Sequence, residues 1–382
     1  MLIAGEASGD LLASELVAAL RERYPDAVFF GAGGTKMAAA GVNLAFDLTQ
    51  HSVVGLTDVL FKLLKFRQLF NQLLTLAIER KPDVVIGVDY GGFNLRFGQA
   101  VKQYVRSNPF STWNPRIVQF VSPQVWASRP GRAQRLEADY DLLLSIFPFE
   151  KAWYTKHAPK LRVEFVGHPM IGRFSTDDLR SKNPAAATAP GTAREHTLLL
   201  LPGSRRAELK RHLPVMLEAV KRIQNSIPSA QIKMVLPNEA LQQLALSLGA
   251  PADSLQIGGL PQALMQADAA IASTGTVTME CAFFGVPTVT LYRTSWLTYE
   301  IGRRIVTVTS LTMPNLMTGE EVYPEFIQQA ATPEHLAGAT LELLQNPERR
   351  KKITGQLNRI IASLGEPGAP HRAAAAVASL LS

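Results

Sequence analysis

The sequence is poor in cysteine. Cys281 is the only one among 382 residues, so no disulfide can close within the chain and a reducing compartment is expected. It stands in the apolar helical run MECAFFGV, where a core role fits better than a reactive one. No run reaches the roughly 18 apolar residues that a membrane-spanning helix needs. The opening MLIAGEASGD enters a strand with no basic leader, so no secretory signal is expected. The seven histidines, the single cysteine and the acids show no metal-ligand spacing, so neither a metal nor another cofactor is expected. Lysines and arginines do not gather in one block with aromatics, which argues against a nucleic-acid partner.

What is present describes a folded chain. Apolar residues make up 47% and charged residues 19%, outside the disordered class. The length suits two domains with sizeable cores. A formal charge of +7 favours an anionic partner such as a nucleotide phosphate or a phospholipid.

Short apolar runs alternate with helical patterns. LIAG, AVFFGAG, DVVIGVD, RIVQFVSP, DLLLSIF and VEFVGHP are the strand candidates of the first half. Most are apolar at both alternating positions, as strands covered on both faces should be. Helices are expected over residues 10–23, 57–80 and 94–105. The polar stretch from Ser175 to Thr197 has no apolar period and reads as a linker or its flank. A second series follows in TLLLLPGS, QIKMVLP, LQIGG, AAIAST and PTVTLYR, with helices over 206–224 and 277–284. The fold class is α/β, with two Rossmann-like parallel-sheet domains facing a cleft. The expected boundaries are 1–174, 175–355 and a C-terminal helical segment 356–382 that packs back on the first domain.

Ligands of such sheets bind beyond the carboxyl ends of the strands, so the chemistry should lie in those loops. In LPGSR, Gly203 lets the backbone approach a ligand, Ser204 can cap the next helix, and Arg205 offers a bidentate phosphate donor. A plain cap with a solvated arginine is the other reading. Ser273, Thr274, Gly275 and Thr276 make a second anion cradle. Glu280, four residues on, suits two ribose hydroxyls unless it is structural. In GEASGD, Glu6 and Asp10 would repel a pyrophosphate, so a sugar is the better partner for this loop, which includes Ser8. Asp10 as a helix cap is the alternative.

Trp126 sits beside Ser122, Gln124, Arg129 and Arg132. It offers a stacking face near cations, or it belongs to a local core. His168 ends a strand in FVGHPM and is either functional or structural. In the helix near residue 60, Val59, Leu63, Phe66, Phe70, Leu73 and Ala77 form the core face. Leu60, Phe61 and Leu64 fall off that face beside Lys62, Lys65 and Arg67. Such a surface suits acyl chains and anionic headgroups, or a second buried side or dimer contact. GVDYGGFN places Asp89 at a strand tip, with two glycines to keep the turn open and Asn94 to start the next helix.

AGEASGD, GVDYGGFN, VSPQVWA, FPFEKAWY, VGHPM, LPGSR, STGTVTMECA, LYRTSW and MPNLM, in this order from Leu2 to about Glu325, resemble the lipid-A-disaccharide synthase family. The resemblance implies an inverting, metal-independent glycosyltransferase of the GT-B fold. Its donor would be UDP-2,3-diacylglucosamine and its acceptor 2,3-diacylglucosamine 1-phosphate (lipid X). The products would be a β-1,6 disaccharide 1-phosphate and UDP. It also implies peripheral attachment to the cytoplasmic face of a Gram-negative inner membrane, through the surface that includes Leu60, Phe61, Leu64 and Lys65.

The second domain would hold UDP, with Arg293 and Asn315 facing the nucleotide. The first would hold the acceptor near Glu6, Ser8 and Asp10, with Ser122, Trp126 and His168 as the further acceptor candidates read from the loops. Arg205 and helix N-termini would stabilise the leaving diphosphate. The family pattern often reads Gly-Ile-Asp-Ala-Pro-Asp-Phe-Asn, and its second Asp is the usual candidate base. Here Gly92 stands at that position. Asp89 is then the nearest acid, with Asp10 and Glu6 in reserve. Other readings are a different UDP-sugar enzyme of this fold, either an epimerase or a transferase with a soluble acceptor, and an inactive lipid- or UDP-binding relative. A homodimer is compatible with all of them.

Overall fold

The computed structural model describes residues 1–49, 59–174 and 196–381, with the side chains of residues 59–65 excepted. Two compact units result. One holds Met1–Arg173 together with Leu364–Ser382, and the other holds Phe174–Ser363.

The first unit carries strands β1 (Leu2–Ala4), β2 (Phe30–Gly33), β3 (Asn43–Asp47), β4 (Val84–Val88), β5 (Arg116–Phe120), β6 (Leu142–Ser145) and β7 (Val163–Phe165). Between them run α1 (Ala7–Arg23), α2 (Thr35–Ala39), α3 (Val59–Arg80), α4 (Gly91–Ser107), α5 (Val125–Ser128), α6 (Ala133–Asp139) and α7 (Pro148–His157). The sheet order is β3-β2-β1-β4-β5-β6-β7, and every pairing is parallel. The order reverses between β1 and β4. The two crossovers leave that point in opposite directions, so the loops after β1 and β4 flank an open crevice, where such sheets bind ligands.

The second unit repeats the plan. It has β8 (Thr197–Leu201), β9 (Gln231–Leu236), β10 (Leu255–Ile257), β11 (Ala269–Ser273), β12 (Thr288–Tyr292) and β13 (Glu325–Ile327). Its sheet order is β10-β9-β8-β11-β12-β13, again parallel throughout. The switch point lies between β8 and β11. Its helices include α8 (Arg206–Ser226), α9 (Glu239–Ser247), α10 (Leu260–Gln266), α11 (Thr276–Phe283), α12 (Trp296–Ile305), α13 (Met313–Thr318), α14 (Pro333–Gln345) and α15 (Pro347–Ser363).

Two strands lie outside the apolar runs named above, β3 and β13. Both are sheet edges, half-buried or partly exposed. A strand covered on one side needs no continuous apolar run. In α3, Leu69, Leu73 and Ala77 are buried, and Phe66 and Phe70 are partly buried against the same core. That is one helical face. The side chains of Leu60, Phe61, Leu64 and Lys65 lie outside the described residues. Among the described residues no helix is long and apolar enough to cross a membrane.

The chain returns to the first unit later than residue 356. Helix α15 packs on α11, α13 and α14 and stays with the second unit through Ser363. The last helix, α16 (Ala369–Ala378), then lies against α1. Its buried residues are Ala369, Ala373, Ala374, Ala376 and Val377, alanines but for one, at helical spacing, which permits close approach. Arg372 Nε donates to the Val166 carbonyl at 2.8 Å, and the His168 amide donates to the Leu364 carbonyl at 2.9 Å.

Candidate functional site

At the first switch point the chain leaves β4 through two consecutive left-handed residues, Asp89 (φ 52°) and Tyr90 (φ 45°). Neither is a glycine, and each costs strain of order 1–3 kcal/mol. The glycines expected to open this turn are instead the first two residues of α4. Asn94 is therefore one turn inside the helix and does not start it.

The turn is held by buried amides. Asn94 Nδ2 and Gln119 Nε2 each donate to the Asp89 carbonyl at 2.9 Å, and the Asp89 amide donates to the Phe120 carbonyl at 2.8 Å. Gly87 makes room for this clamp, because a Cβ there would come within 2.6 Å of Gln119 Oε1 and 2.8 Å of Asn94 Cβ. Gln119 is the one amide inside the apolar run RIVQF, and only its burial in the folded strand reveals its role in the clamp.

The clamp turns the Asp89 carboxylate toward the start of α1. Ser8 Oγ donates to Asp89 Oδ2 at 3.3 Å. Burial pushes the Asp89 pKa above its ordinary value, against the lowering by its bonds from the Tyr90 amide and Ser8. Glu6 is close enough for its charge, after burial, to raise the Tyr90 hydroxyl. Glu6, Ser8, Asp89 and Tyr90 thus gather at one crevice. A carboxylate with a raised pKa in such a place is a candidate base.

Asp10 is not part of this group. Its carboxylate accepts from the amides of Gly34 (2.7 Å), Lys36 (3.0 Å) and Met37 (3.1 Å). It caps the start of α2 and is committed to that task. Ser122, Trp126 and His168 are also turned inward. Each is more than nine-tenths buried. Trp126 Nε1 donates to Glu150 Oε1 at 3.1 Å, and its ring meets Phe149 edge-on. Ser122 bonds the Tyr154 hydroxyl. The ring of His168 packs on Phe147, and its Nδ1 accepts from the Met170 amide. These three build the unit's interior.

Two of these buried groups give a pH signature. Burial raises Glu150 from 4.5 to about 7, so its neutral form is favoured on folding. Its contribution is complete below pH 4.5 and is lost as pH rises toward 7. Burial lowers His168 from 6.5 to about 4. Its contribution is complete above pH 6.5 and is lost as pH falls toward 4. Between pH 4.5 and 6.5 the two oppose each other, at about 1.4 kcal/mol per unit each. Glu150→Gln removes the first. The stability of the variant minus that of the wild type should therefore rise by about 3 kcal/mol from pH 4 to 8, read from urea midpoints by tryptophan fluorescence. A difference that stays flat with pH contradicts a neutral Glu150.

At the second switch point two loops face each other across β8 and β11. Gly275 (φ 140°) precedes α11, and the left-handed region there favours glycine. Ser273 is buried, Thr274 half-buried, and Gly275 and Thr276 are exposed at the helix start. Glu280 is half-buried one turn on.

The loop after β8 is already occupied by a carboxylate. Glu208 Oε2 accepts from the amides of Ser204 (3.0 Å) and Arg205 (3.3 Å), and the Arg205 guanidinium reaches Glu208 Oε1 at 3.3 Å. This shows that the amides accept an anion. A phosphate here has to compete with Glu208 for them.

A histidine that sequence reading passed over ties the loops together. His212 Nδ1 donates to the Pro202 carbonyl at 2.8 Å, and its Nε2 accepts from the Arg293 amide at 3.1 Å. The two bonds require the neutral ring, and burial lowers its pKa accordingly. Arg293 is thereby fixed at the end of β12.

Asn315, expected beside the nucleotide, is turned into the packing of its own unit. It is buried, and its Nδ2 donates to the Tyr323 carbonyl and Glu325 Oε1, both at 2.8 Å. Its Oδ1 accepts from the amides of Val322 (2.9 Å) and Tyr323 (2.8 Å). Its amide is spent on holding the turn before β13. Among the described residues no group of three His, Cys, Asp or Glu side chains is placed to hold a metal ion.

Comparison with known proteins agrees with this architecture. A putative UDP-N-acetylglucosamine 2-epimerase from Listeria monocytogenes superposes with a TM-score of 0.61 at 16% identity, covering 100% of this chain and 95% of the other. Acinetobacter baumannii MurG superposes with a TM-score of 0.55 at 15% identity, over 99% of each chain. These likenesses establish the fold, two parallel-sheet α/β domains of the GT-B type. In sequence, the chain is 36% identical to the lipid-A-disaccharide synthase of Myxococcus xanthus (strain DK1622), over 100% of this chain and 97% of that protein. The lipid-A-disaccharide synthetase family pattern matches residues 1–379. The chain therefore belongs to the lipid-A-disaccharide synthase family.

Proposed function

We propose that the chain transfers 2,3-diacylglucosamine from UDP to the 6-hydroxyl of 2,3-diacylglucosamine 1-phosphate, with inversion at the anomeric carbon. The supporting observation is the Asp89 carboxylate, held on a strained turn at the first switch point with a raised pKa. Asp89 takes the proton of the acceptor hydroxyl as that oxygen bonds to the anomeric carbon. The bond from that carbon to the phosphate oxygen breaks, and UDP leaves with the electron pair. Without a metal in the scheme, its charge is met by Arg205 and the amides at the start of α11. Glu280 accepts from the ribose hydroxyls.

The test is an incubation of purified protein with both acylated sugars in detergent. UDP release that requires both sugars and resists a chelator is expected. UDP release without acceptor, or an epimerised donor, contradicts the reading.

A membrane surface is the site of work in this reading. Helix α12 supports it. Trp296, Leu297 and Ile301 are 69%, 62% and 51% exposed, Arg303 and Arg304 follow, and no residue of the helix is buried. An apolar face beside arginines suits a helix lying in an anionic interface. The triple change Trp296→Ser, Leu297→Ser, Ile301→Ser should reduce cosedimentation with phosphatidylglycerol vesicles by tenfold or more, since each buried side chain contributes about 1.5–3 kcal/mol. Unchanged cosedimentation removes α12 from the membrane contact.

A further inference from the structure

Beside the Asp89 turn lies a group of cations that the reaction scheme above does not use. Helix α4 presents Gly92, Arg96 and Gln99 on one stripe, and Arg132, Arg135 and Asp139 come from the turn before α6 and from α6 itself. They line a cavity of about 120 Å³, or about four times the ~30 Å³ share of a water in the liquid. Its size leaves room for a small hydrated anion.

The charge of the cavity is one-sided. Arg96, Arg132 and Arg135 make no ion pair among the described residues, whereas Asp139 is engaged by Arg106 at 3.3 Å. The Arg132 guanidinium is held below its ordinary value by burial, and then by the charges of Arg129, Arg135 and Arg96. The like charges of Arg96, Arg132 and Arg135 repel one another, and an anion among them relieves that cost. Guanidinium forks match the oxygens of a phosphate in a bidentate way. The floor is open as well, since a Cβ at Gly92 would meet nothing within 4 Å. Gly92 also lies in the first turn of the 17-residue helix α4, whose amides favour negative charge.

We propose that this cavity binds a phosphate monoester, and that in the working enzyme the monoester is the 1-phosphate of the acceptor. The assignment rests on the acceptor proposed above. A glucosamine 1-phosphate carries its phosphate on C1 and its 6-hydroxyl on the arm of C5, the two carbons that flank the ring oxygen. Gly92, three residues after Asp89, lines the cavity, so the first turn of α4 joins the two, and in this assignment the acceptor sugar spans that turn from the arginines to the base. The cavity thereby selects a phosphorylated acceptor, and the absence of an acid at position 92 keeps it cationic.

The test uses the full chain and the paired change Arg132→Gln, Arg135→Gln. In one arm, binding of water-soluble glucosamine 1-phosphate is measured by calorimetry. In a second, the KM values for acceptor and donor are measured in neutral detergent. In a third, cosedimentation with phosphatidylglycerol vesicles is measured. The first two arms should show a 10- to 100-fold loss for the phosphorylated sugar and the acceptor, with the donor KM unmoved and partial rescue by Arg132→Lys, Arg135→Lys. Thermal melts establish that the variants fold.

Unchanged glucosamine 1-phosphate affinity overturns the proposal. So does a loss confined to the vesicles, which identifies a phospholipid headgroup as the ligand. If the wild type binds glucosamine 1-phosphate through these arginines but forms no disaccharide, the phosphate site stands and the reaction proposed above fails.

Discussion

Asp89→Asn is expected to lower kcat by about 10²- to 10⁴-fold, the usual contribution of a general base. The change is nearly isosteric, so the clamp on the Asp89 carbonyl by Asn94 and Gln119 should hold the turn in place. Asparagine keeps a hydrogen bond from Ser8 but cannot take the proton. The donor KM should stay close to wild type, because the loss falls on a bond-making step and not on binding.

Asp10→Asn gives the contrasting result. Asp10 bonds three amides at the start of α2, so its loss should cost about 1–3 kcal/mol of stability and leave most of the turnover of the folded fraction. A greater loss of turnover in Asp10→Asn than in Asp89→Asn moves the base to the first loop.

Arg205→Ala is expected to lower kcat by about 10²- to 10³-fold, the scale of removing one donor to a developing negative charge. The fold should be unaffected. The side chain is 69% exposed, and its pairing with Glu208 is an exposed i,i+3 contact of a kind that contributes little. Glu208 holds the guanidinium and the Ser204 and Arg205 amides together; in the proposed reaction the diphosphate takes the same donors. Near-normal turnover in Arg205→Ala removes it from the leaving-group role and leaves that role to the start of α11.

The sequence showed most of this architecture because the central strands of both sheets are covered on both faces. LIA, VVIGV and LLLS, the strand portions of LIAG, DVVIGVD and DLLLSIF, carry no charged residue for that reason. Strands β3 and β13 did not announce themselves, because NLAFD and EFI sit at edges and keep exposed or half-exposed positions. Loops after strands were located because glycine, serine and threonine cluster there.

What the sequence did not carry was the direction of side chains. Trp126, His168 and Asn315 stand in recognisable motifs, yet each points into packing and satisfies a polar neighbour. A motif fixes which residues are near one another in the chain, and only three-dimensional packing decides which of them keeps a free face. The same holds for Gln119 and His212, which act through hydrogen bonds to residues 30 and 81 positions away. The strain at Asp89 and Tyr90 was likewise invisible, since the adjacent glycines were the residues expected to bear it.

The central claim is that Asp89 activates the acceptor hydroxyl for inverting transfer. It is tested most directly by the mass and anomeric configuration of the product formed by the wild type and by Asp89→Asn, side by side, from the two acylated sugars. A β-linked tetra-acylated disaccharide 1-phosphate is expected from the wild type and a trace of the same product from Asp89→Asn. An α-linked product, or equal yields from the two proteins, contradicts the claim.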